Sequence, residues 1–372
     1  MTSNLELPDT HKALVQDVKG QPLALRDVPT PRPSPGSAIV RVTSVPIVSY
    51  ARDVLDGTRK IYQYPTPFTP GASAVGRVVA VGPDATRIQQ GDLVLIDCFI
   101  HGRDDDDAVI LLGTSVTATM GSQKLMEGEW RNGTFAEYCK APLENCFVLN
   151  EARLCKELGY DIDQFGWILQ GLVPYGGLRS INLQAGETII IAPATGGFGS
   201  AAVVVALAMG ARVIAMARNV VELGKIKQLD SKRITTIPIM GDVEDEVAAL
   251  KSVERINAFF DISPPMAQHS THFKSAILSL ARGGRVSLMG GFNEDVPIPH
   301  RFIMRNDILL KGKFMYDRED IVAFLQFLES GQLDVRRLVQ IIGRFKLEYW
   351  KRALDVASEQ GNRLGQLAVF NP

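Results

Sequence analysis

Uninterrupted apolar runs, each followed by a turn and a helical pattern, mark the middle of this chain. Residues 188–192 form a β-branched apolar run, which is typical of a strand buried on both faces of a parallel sheet. The glycine-rich segment 194–199 comes next, and small residues over about 200–209 predict a helix that stops at Gly210. A second apolar run, 212–216, predicts another strand. The order strand, turn, helix and strand is that of one βαβ unit.

The same alternation of strands and helices continues from about residue 170 to residue 312. It predicts later strands at 258–262, 285–289 and 308–310, and therefore an α/β fold with a doubly wound parallel sheet of the Rossmann type. Before about residue 150 the pattern differs, because short apolar segments alternate with proline and glycine turns. That pattern predicts a strand-rich region.

The end of the chain predicts two helices and a last strand. The helices are expected at 320–329 and 348–359, and the strand at 366–370. A chain of 372 residues exceeds what one hydrophobic core usually supports. We therefore expect two domains.

Composition and charge narrow the class of protein. The net charge is −1, with 46% apolar and 22% charged residues, so neither nucleic acid nor an anionic membrane is an expected partner. No apolar run is long enough to cross a bilayer, and residues 1–15 lack a signal-peptide pattern. The cysteines, Cys98, Cys139, Cys146 and Cys155, are too few and too irregularly spaced for a disulfide framework. We expect a cytoplasmic protein with a small-molecule substrate.

The glycine-rich turn has the features of a dinucleotide site. It consists of Ala194, Thr195, Gly196, Gly197, Phe198 and Gly199. Gly196 lets the backbone approach a pyrophosphate, Gly199 lets the helix pack on the strand, and the helix N-terminus favours negative charge. Ala194 stands where the pattern G-x-G-x-x-G has its first glycine. Gly290 and Gly291, which follow a later strand, are predicted to approach the same cofactor.

The residues that follow the second strand indicate which dinucleotide binds. An NAD site usually has an acidic residue at that point, whereas this chain has Ala217, Arg218 and Asn219. Ala217 leaves room for a 2′-phosphate, and Arg218 offers it a planar fork of donors, so the sequence predicts NADPH. Glu222 argues mildly against a phosphate, and Lys225 could offset it. The alternative is that Arg218 is a solvated residue at a strand end.

Several motifs together resemble the medium-chain dehydrogenase/reductase superfamily. They are the segments 69–76, 91–94 and 133–138, followed by the glycine-rich turn. The resemblance implies a strand-rich, partly open barrel-like catalytic domain made of residues 1–169 and 313–372, with a Rossmann domain of residues 170–312 inserted in it. It also implies an active site in the cleft between the domains, and a homodimer.

The zinc ligands of that superfamily are missing at the matching positions. Zinc-dependent members carry a cysteine where this chain has Val48, and a histidine where it has Ala72. A third ligand, expected near Leu169 and Gln170, is also absent, and Cys98 stands alone where a structural zinc lobe carries four cysteines. Valine and alanine cannot bind zinc. The chain therefore resembles the zinc-free branch, which includes quinone oxidoreductase-like and enoyl reductase-like proteins.

Without zinc, hydride transfer requires a substrate in which the negative charge that forms is delocalised. Hydride transfer from NADPH to an electron-poor C=C of an α,β-unsaturated carbonyl, or to a quinone, produces a delocalised anion that hydrogen-bond donors can stabilise. We therefore predict a reductase of this kind. The alternatives are a zinc-free carbonyl reductase or alcohol dehydrogenase, and a protein that binds NADPH without turnover.

Two tyrosines are the candidate proton donors. Tyr50 matches the proton-relay hydroxyl of the zinc enzymes, and a phenol stays protonated at neutral pH. Tyr64 lies on a loop that the superfamily places at the cleft. The alternatives are that Tyr50 fills the core and that Tyr64 is a packing aromatic. His269 and His272, in a predicted helix, are interpreted as structural.

Overall fold

The computed structural model describes residues 7–372, which form two compact units. The strand-rich unit comprises the described part of Met1–Trp167 together with Val335–Asn362 and Gln366–Pro372. The parallel-sheet unit comprises Ile168–Asp334 and Arg363–Gly365.

The strands and helices have the following bounds. In chain order the strands are β1 (Thr10–Val15), β2 (Ala24–Pro29), β3 (Ser37–Ile47), β4 (Ala74–Val81), β5 (Leu93–Ile96), β6 (Phe99–His101), β7 (Val109–Leu111), β8 (Ser115–Val116), β9 (Tyr138–Pro142), β10 (Cys146–Val148), β11 (Thr188–Ala192), β12 (Arg212–Ala217), β13 (Ile234–Pro238), β14 (Ala258–Asp261), β15 (Arg285–Leu288), β16 (Leu309–Gly312), β17 (Gln340–Phe345) and β18 (Gln366–Phe370). The α-helices are α1 (Ala51–Leu55), α2 (Met120–Glu127), α3 (Trp167–Ser180), α4 (Gly197–Ala208), α5 (Val220–Lys227), α6 (Val243–Lys251), α7 (His272–Leu278), α8 (His300–Arg305), α9 (Arg318–Glu329) and α10 (Trp350–Gln360). Within residues 7–372 no helix has both the length and the apolar character needed to cross a membrane.

The strand-rich unit is organised around the long strand β3. Its main sheet has the order β10-β5-β4-β3-β18-β17, with β9 also paired to β3. All these pairs are antiparallel except β17 with β18, so the sheet is mixed. Smaller sheets join β1 with β2 and β6 with β7 and β8. The predicted strand-rich region is confirmed, whereas its barrel-like form stays a prediction.

Three loops of this unit meet main chain to main chain at a triple-glycine junction, made of Gly71, Gly113 and Gly133. The Gly71 amide donates to the Gly113 carbonyl at 3.0 Å, and the Thr134 amide donates to the Gly71 carbonyl at 3.0 Å. A Cβ atom added at Gly113 or Gly133 would collide with the Gly71 carbonyl oxygen. Only glycine fits such an approach, because any side chain would have to push two backbones apart.

The parallel-sheet unit is the predicted Rossmann-type fold. Its six strands have the order β13-β12-β11-β14-β15-β16, and every neighbouring pair is parallel. β11 is buried along its whole length, as its β-branched composition predicts. The chain proceeds outward from β11 in one direction to β13 and then in the other to β16. The carboxyl ends of β11 and β14 therefore form the topological switch point, where α/β sheets bind ligands.

The boundary of this unit lies further along the chain than residue 312. It extends to Asp334, and it starts at Ile168 rather than at residue 170. Helix α9 belongs to it because Arg179 of α3 pairs with Asp320 at 3.0 Å and Tyr175 packs edge-on against Phe324, with ring centroids 5.2 Å apart. The sequence placed the boundary before α9 because nothing local to that helix indicates which core it joins.

Candidate active site

The glycine-rich turn joins β11 to the N-terminus of α4. A Cβ at Gly199 would collide with the Pro193 carbonyl oxygen, so the close packing predicted for this glycine is present. Gly196 is the N-cap residue, and no side chain caps the helix. The first N–H groups of a helix have no partner within it, so this end presents donors and a positive dipole. Thr195, Gly196 and Phe198 are partly exposed there.

Ala194 ties the glycine-rich turn to the neighbouring strand β12. It is fully buried, and its amide donates to the Met216 carbonyl at 2.8 Å. Its N–H is thus used within the protein, and Ala194 shapes the turn by joining it to β12. A backbone position engaged in this way offers no free donor to a ligand.

The end of β12 presents an exposed arginine. Arg218 is exposed, and no hydrogen bond or ion pair joins its guanidinium to another residue of the described chain. Glu222 pairs with Lys225 at 2.7 Å, so its charge is offset as the sequence suggested. Asn219 instead caps α5, with its side-chain oxygen accepting from the amides of Val221 at 3.0 Å and Glu222 at 3.2 Å. The side-chain oxygen of Asn219 is thus used within the protein, which leaves its side-chain N–H groups for the predicted cofactor contact.

A buried polar network lies at the carboxyl end of β14, the strand that pairs with β11. Ser263 donates to Asp261 Oδ1 at 2.5 Å, and His272 Nε2 lies 2.8 Å from the Ser263 hydroxyl. His272 Nδ1 lies 2.7 Å from the Ser270 hydroxyl. Because the single Ser263 proton goes to Asp261, His272 must donate from Nε2 and accept at Nδ1. The network therefore fixes the neutral Nε2–H tautomer.

Burial shifts the pKa values of the two titratable groups of this network in opposite directions. Desolvation raises the pKa of Asp261 from 3.8 to about 6, although hydrogen bonds from Ser263 oppose it. Desolvation lowers the pKa of His272 from 6.5 to about 4, with the Glu246 carboxylate opposing and Arg218 reinforcing the shift. At neutral pH the pair is thus a buried carboxylate and an uncharged imidazole.

The network holds the double glycine that follows β15. Asp261 accepts a hydrogen bond from the Gly290 backbone, and the Gly291 amide donates to the Ser263 carbonyl at 2.8 Å. A Cβ at Gly290 would collide with the Asp261 carboxylate, whereas one at Gly291 would meet nothing within 4 Å. Asp261 itself therefore requires a glycine at 290, and the approach of a cofactor to Gly290 and Gly291 stays a prediction.

Sequence reasoning missed Asp261 and Ser263 and treated His272 as structural. The available signal was an apolar strand that ends in an aspartate, with Ser263-Pro264-Pro265 beginning two residues after it. What could not be inferred is that His272, nine residues after Ser263, folds back onto it.

The tyrosine predicted as proton donor lies in the strand-rich unit, directly before α1. Tyr50 is partly exposed, and the Arg59 guanidinium lies over its ring, 4.4 Å from the centroid. Burial of the hydroxyl raises the pKa of Tyr50 well above 10.0, and the neighbouring Tyr62 raises it further, while Arg59 lowers it. The phenol is therefore protonated at neutral pH and can donate.

Tyr64 is placed differently. It is buried, its ring stacks on Phe68 with centroids 4.5 Å apart, and its hydroxyl donates to the Val54 carbonyl at 3.1 Å. Burial, followed by the charge of Asp56, raises the pKa of Tyr64 to about 12. Because its proton is used by a backbone carbonyl, Tyr64 fits the packing alternative better than a role as donor.

The residues at the superfamily's metal positions do not fit zinc. Val48 and Ala72 carry no ligand atom, and Gln170 offers only an amide, whose buried oxygen has no partner. Zinc in proteins is held by thiolate, imidazole or carboxylate groups. Across residues 7–372, no three or more histidine, cysteine or acidic side chains are grouped so as to hold a metal ion.

Comparison with known proteins identifies the family. Residues 34–151 match the family model of the alcohol dehydrogenase GroES-like domain, and residues 197–330 match that of the zinc-binding dehydrogenases. The chain is 26% identical over 332 residues to an alcohol dehydrogenase of Geobacillus stearothermophilus, covering 89% of this chain and 92% of that protein. It is 27% identical over 330 residues to an acryloyl-coenzyme A reductase of Metallosphaera sedula, covering 87% and 90%.

The fold agrees with a solved structure over nearly its whole length. A thermostable alcohol dehydrogenase from Pyrobaculum aerophilum superposes with a TM-score of 0.73 at 20% identity, covering 98% of this chain and all of that one. Dehydrogenases of this kind work with a nicotinamide coenzyme, and the turn before α4 is suited to its pyrophosphate. The chain belongs to the medium-chain dehydrogenase/reductase superfamily and is an oxidoreductase.

Proposed function

We propose that this oxidoreductase is an NADPH-dependent, zinc-independent reductase of electron-poor C=C bonds in α,β-unsaturated carbonyl compounds, or of quinones. The observation that carries the proposal is the pairing of a complete dinucleotide turn with Val48 and Ala72, which have no metal-ligating atoms. Because zinc cannot be held there, the substrate must accept hydride without a Lewis acid.

The proposed coenzyme is NADPH, which supplies the hydride when bound. The N-terminus of α4 would hold the pyrophosphate, and Arg218 would pair with the 2′-phosphate. Support comes from the exposed guanidinium, which no described side chain neutralises, and from the Glu222–Lys225 pair at 2.7 Å. A carboxylate at the end of β12, which would favour NADH, is replaced by the small, buried Ala217.

The substrate class follows from the donors that remain. Hydride addition to an enone or a quinone spreads the negative charge, so a single neutral phenol is a sufficient partner. Tyr50 is proposed as that donor, because it is protonated at neutral pH and partly exposed. The relative named acryloyl-coenzyme A reductase is in line with reduction of an activated C=C.

Carbonyl reduction is the second candidate function. The relative named alcohol dehydrogenase favours it, and Tyr50 would then act alone on a C=O group. Binding of NADPH without turnover, the third alternative, is set aside because the relatives named above are enzymes.

The test is coenzyme oxidation by the purified protein with a panel of enones, enals, quinones and aldehydes. We expect faster turnover with NADPH than with NADH, and saturated ketones or hydroquinones as products. Activity should persist after exhaustive treatment with a chelator, with no stoichiometric zinc by elemental analysis. Formation of allylic alcohols would support the second candidate, and loss of activity on chelation that zinc restores would refute zinc independence.

We also propose a cytoplasmic homodimer. The four cysteines are free, as in a reducing compartment. β16 pairs with β15 alone among the described strands. Leu309, its first residue, is 50% exposed, and Phe314, two residues after its end, is 57% exposed. An apolar sheet edge of this kind is a candidate surface for a second copy. Sedimentation velocity on the unmodified protein tests this, since a monomer at micromolar concentration would contradict it.

A further inference from the structure

An arginine lies against the proposed proton donor without a hydrogen-bond acceptor for its guanidinium. The Arg59 guanidinium carbon is 4.4 Å from the centroid of the Tyr50 ring. Contact with a ring face attracts a cation but offers no oxygen to its N–H groups. In the described chain no oxygen accepts a hydrogen bond from this guanidinium, although only 23% of the Arg59 side chain is exposed. Its N–H groups are therefore available to a ligand beside the Tyr50 ring.

Other arginines of the strand-rich unit close charged pairs. Arg77, with 34% of its side chain exposed, donates to the two carboxylate oxygens of Glu151 at 2.8 and 2.7 Å. Arg103, with 54% exposed, donates to those of Glu144 at 2.6 and 2.9 Å. Arg59 is more buried than either and has no such partner. Because a partly desolvated guanidinium is stabilised by an anion that accepts from its planar fork, this arrangement favours a site for an anionic ligand.

The described chain has one carboxylate within ion-pair distance of Arg59, and that carboxylate is shared. Asp53 lies 4.0 Å from Arg59 Nε and also 4.0 Å from Arg52 Nε, both beyond hydrogen-bond length. Arg52 additionally donates to Asp355 at 3.1 Å, so its charge is the better balanced of the two. A carboxylate ligand matches the single guanidinium of Arg59, whereas the second charge of a phosphate would be repelled by Asp53.

The backbone holds Arg59 in place without help from its side chain. The Arg59 amide donates to the Asp53 carbonyl at 2.8 Å, and the Tyr62 amide donates to the Arg59 carbonyl at 3.3 Å. The Lys19 ammonium also donates to the Tyr62 carbonyl, at 2.7 Å. A binding group that is fixed before its ligand arrives loses little conformational entropy on binding. Substitution of the Arg59 side chain should therefore leave this loop in position.

We propose that Arg59 is a specificity-determining residue that binds a carboxylate group of the substrate next to Tyr50. This inference rests on the proposed function and narrows its acceptors to α,β-unsaturated carbonyl compounds that also carry a carboxylate. The carboxylate accepts hydrogen bonds from Arg59, and the carbonyl oxygen accepts one from the Tyr50 hydroxyl. The C=C bond gains a hydride and a proton, as in the proposed function, and the carboxylate is unchanged by the reaction.

The first arm of the test compares two acceptors that differ by one charge. They are (E)-4-oxo-2-pentenoate and its methyl ester, each reduced with NADPH. The unmodified protein should have the higher kcat/KM with the acid. Arg59→Gln should lower the ratio of kcat/KM for the acid to that for the ester about 10- to 100-fold, as expected for loss of a charge-assisted pair. Any effect of Arg59 on Tyr50 alters both rates and cancels in this ratio.

Arg52→Gln is the matched control for this arm. Arg52 lies at the same distance from Asp53, but it is already hydrogen-bonded to Asp355. The acid-to-ester ratio should therefore be the same in Arg52→Gln as in the unmodified protein. A ratio that Arg59→Gln leaves unchanged, or that both variants lower equally, overturns the proposal while the proposed function stands.

The second arm needs no turnover. Binding of 4-oxopentanoate, which has no C=C bond to reduce, is measured by ligand-observed NMR on the protein saturated with NADP⁺. Its affinity should fall about 10- to 100-fold in Arg59→Gln and stay unchanged in Arg52→Gln. Equal affinity in the three proteins, or binding to none of them, overturns the proposal. If no acceptor is reduced but this binding depends on Arg59, the proposed function fails and the carboxylate site stands.

Discussion

Replacing His272 by glutamine should expose a pH dependence of stability that the native network conceals. The pKa of Asp261 is raised from 3.8 to about 6, so the folded protein binds more protons than the unfolded one between these values. Stability from this group is therefore lost as pH rises from about 4 to 6. The pKa of His272 is lowered from 6.5 to about 4, so its contribution is gained as pH rises over nearly the same window.

The two contributions are similar in size. At about 1.4 kcal/mol for each tenfold change in proton affinity, each corresponds to about 3 kcal/mol. They act in opposite directions, so their sum changes little between pH 4 and 6.5 in the native protein. His272→Gln removes the rising contribution, and we expect it to lose about 3 kcal/mol relative to the native protein over this window. Asp261→Asn should instead gain about 3 kcal/mol of stability relative to the native protein over the same window.

The assay is equilibrium urea unfolding at pH 4 and pH 6.5, followed by far-ultraviolet circular dichroism. Tryptophan fluorescence, from Trp130, Trp167 and Trp350, is recorded on the same samples as a second probe of unfolding. If His272→Gln and the native protein show parallel pH profiles by circular dichroism, the opposing pKa shifts are refuted.

Two further predictions concern the parallel-sheet unit. Arg218→Ala should weaken NADPH binding about 10- to 100-fold, as expected for loss of a charge-assisted hydrogen bond, and leave NADH binding unchanged. Isothermal titration with both coenzymes measures the two affinities, and an equal loss of affinity for both would contradict the role of Arg218. Gly290→Ala should destabilise the protein by about 1–3 kcal/mol, because its methyl group would collide with Asp261, whereas Gly291→Ala should lie within about 0.5 kcal/mol of the native protein. Thermal unfolding measures the stability of both variants. Equal losses of stability would show that the structure adjusts to remove the collision at Gly290.

Elements with a strong local pattern could be predicted from the sequence. The predicted strand at 188–192 is β11, and that at 366–370 is β18. Helix α4 begins three residues before the predicted start, since the glycines 197 and 199 are already helical. β3 runs on to Ile47 through Pro46, a continuation that local propensity opposes and that pairing with β18 explains.

The candidate site was less accessible to sequence reasoning, because its groups meet through tertiary contacts. The exposure of Arg218 and the Glu222–Lys225 pair follow from positions on one strand end and one helix, and the sequence suggested both. The burial of Tyr64 and the placement of Arg59 over Tyr50 depend on how a loop folds back. Hydrophobic periodicity carries no information about which residues such a loop contacts, so these contacts cannot be predicted from a single sequence.

The triple-glycine junction has a consequence for exchanging loops of the strand-rich unit. The segments around Gly71, Gly113 and Gly133 touch through their backbones, with no side chain between them to absorb a change in length. An insertion or deletion in one segment is therefore transmitted directly to the other two. Chimeric proteins made by exchanging loops with a relative should keep their activity only when all three segments are transplanted together.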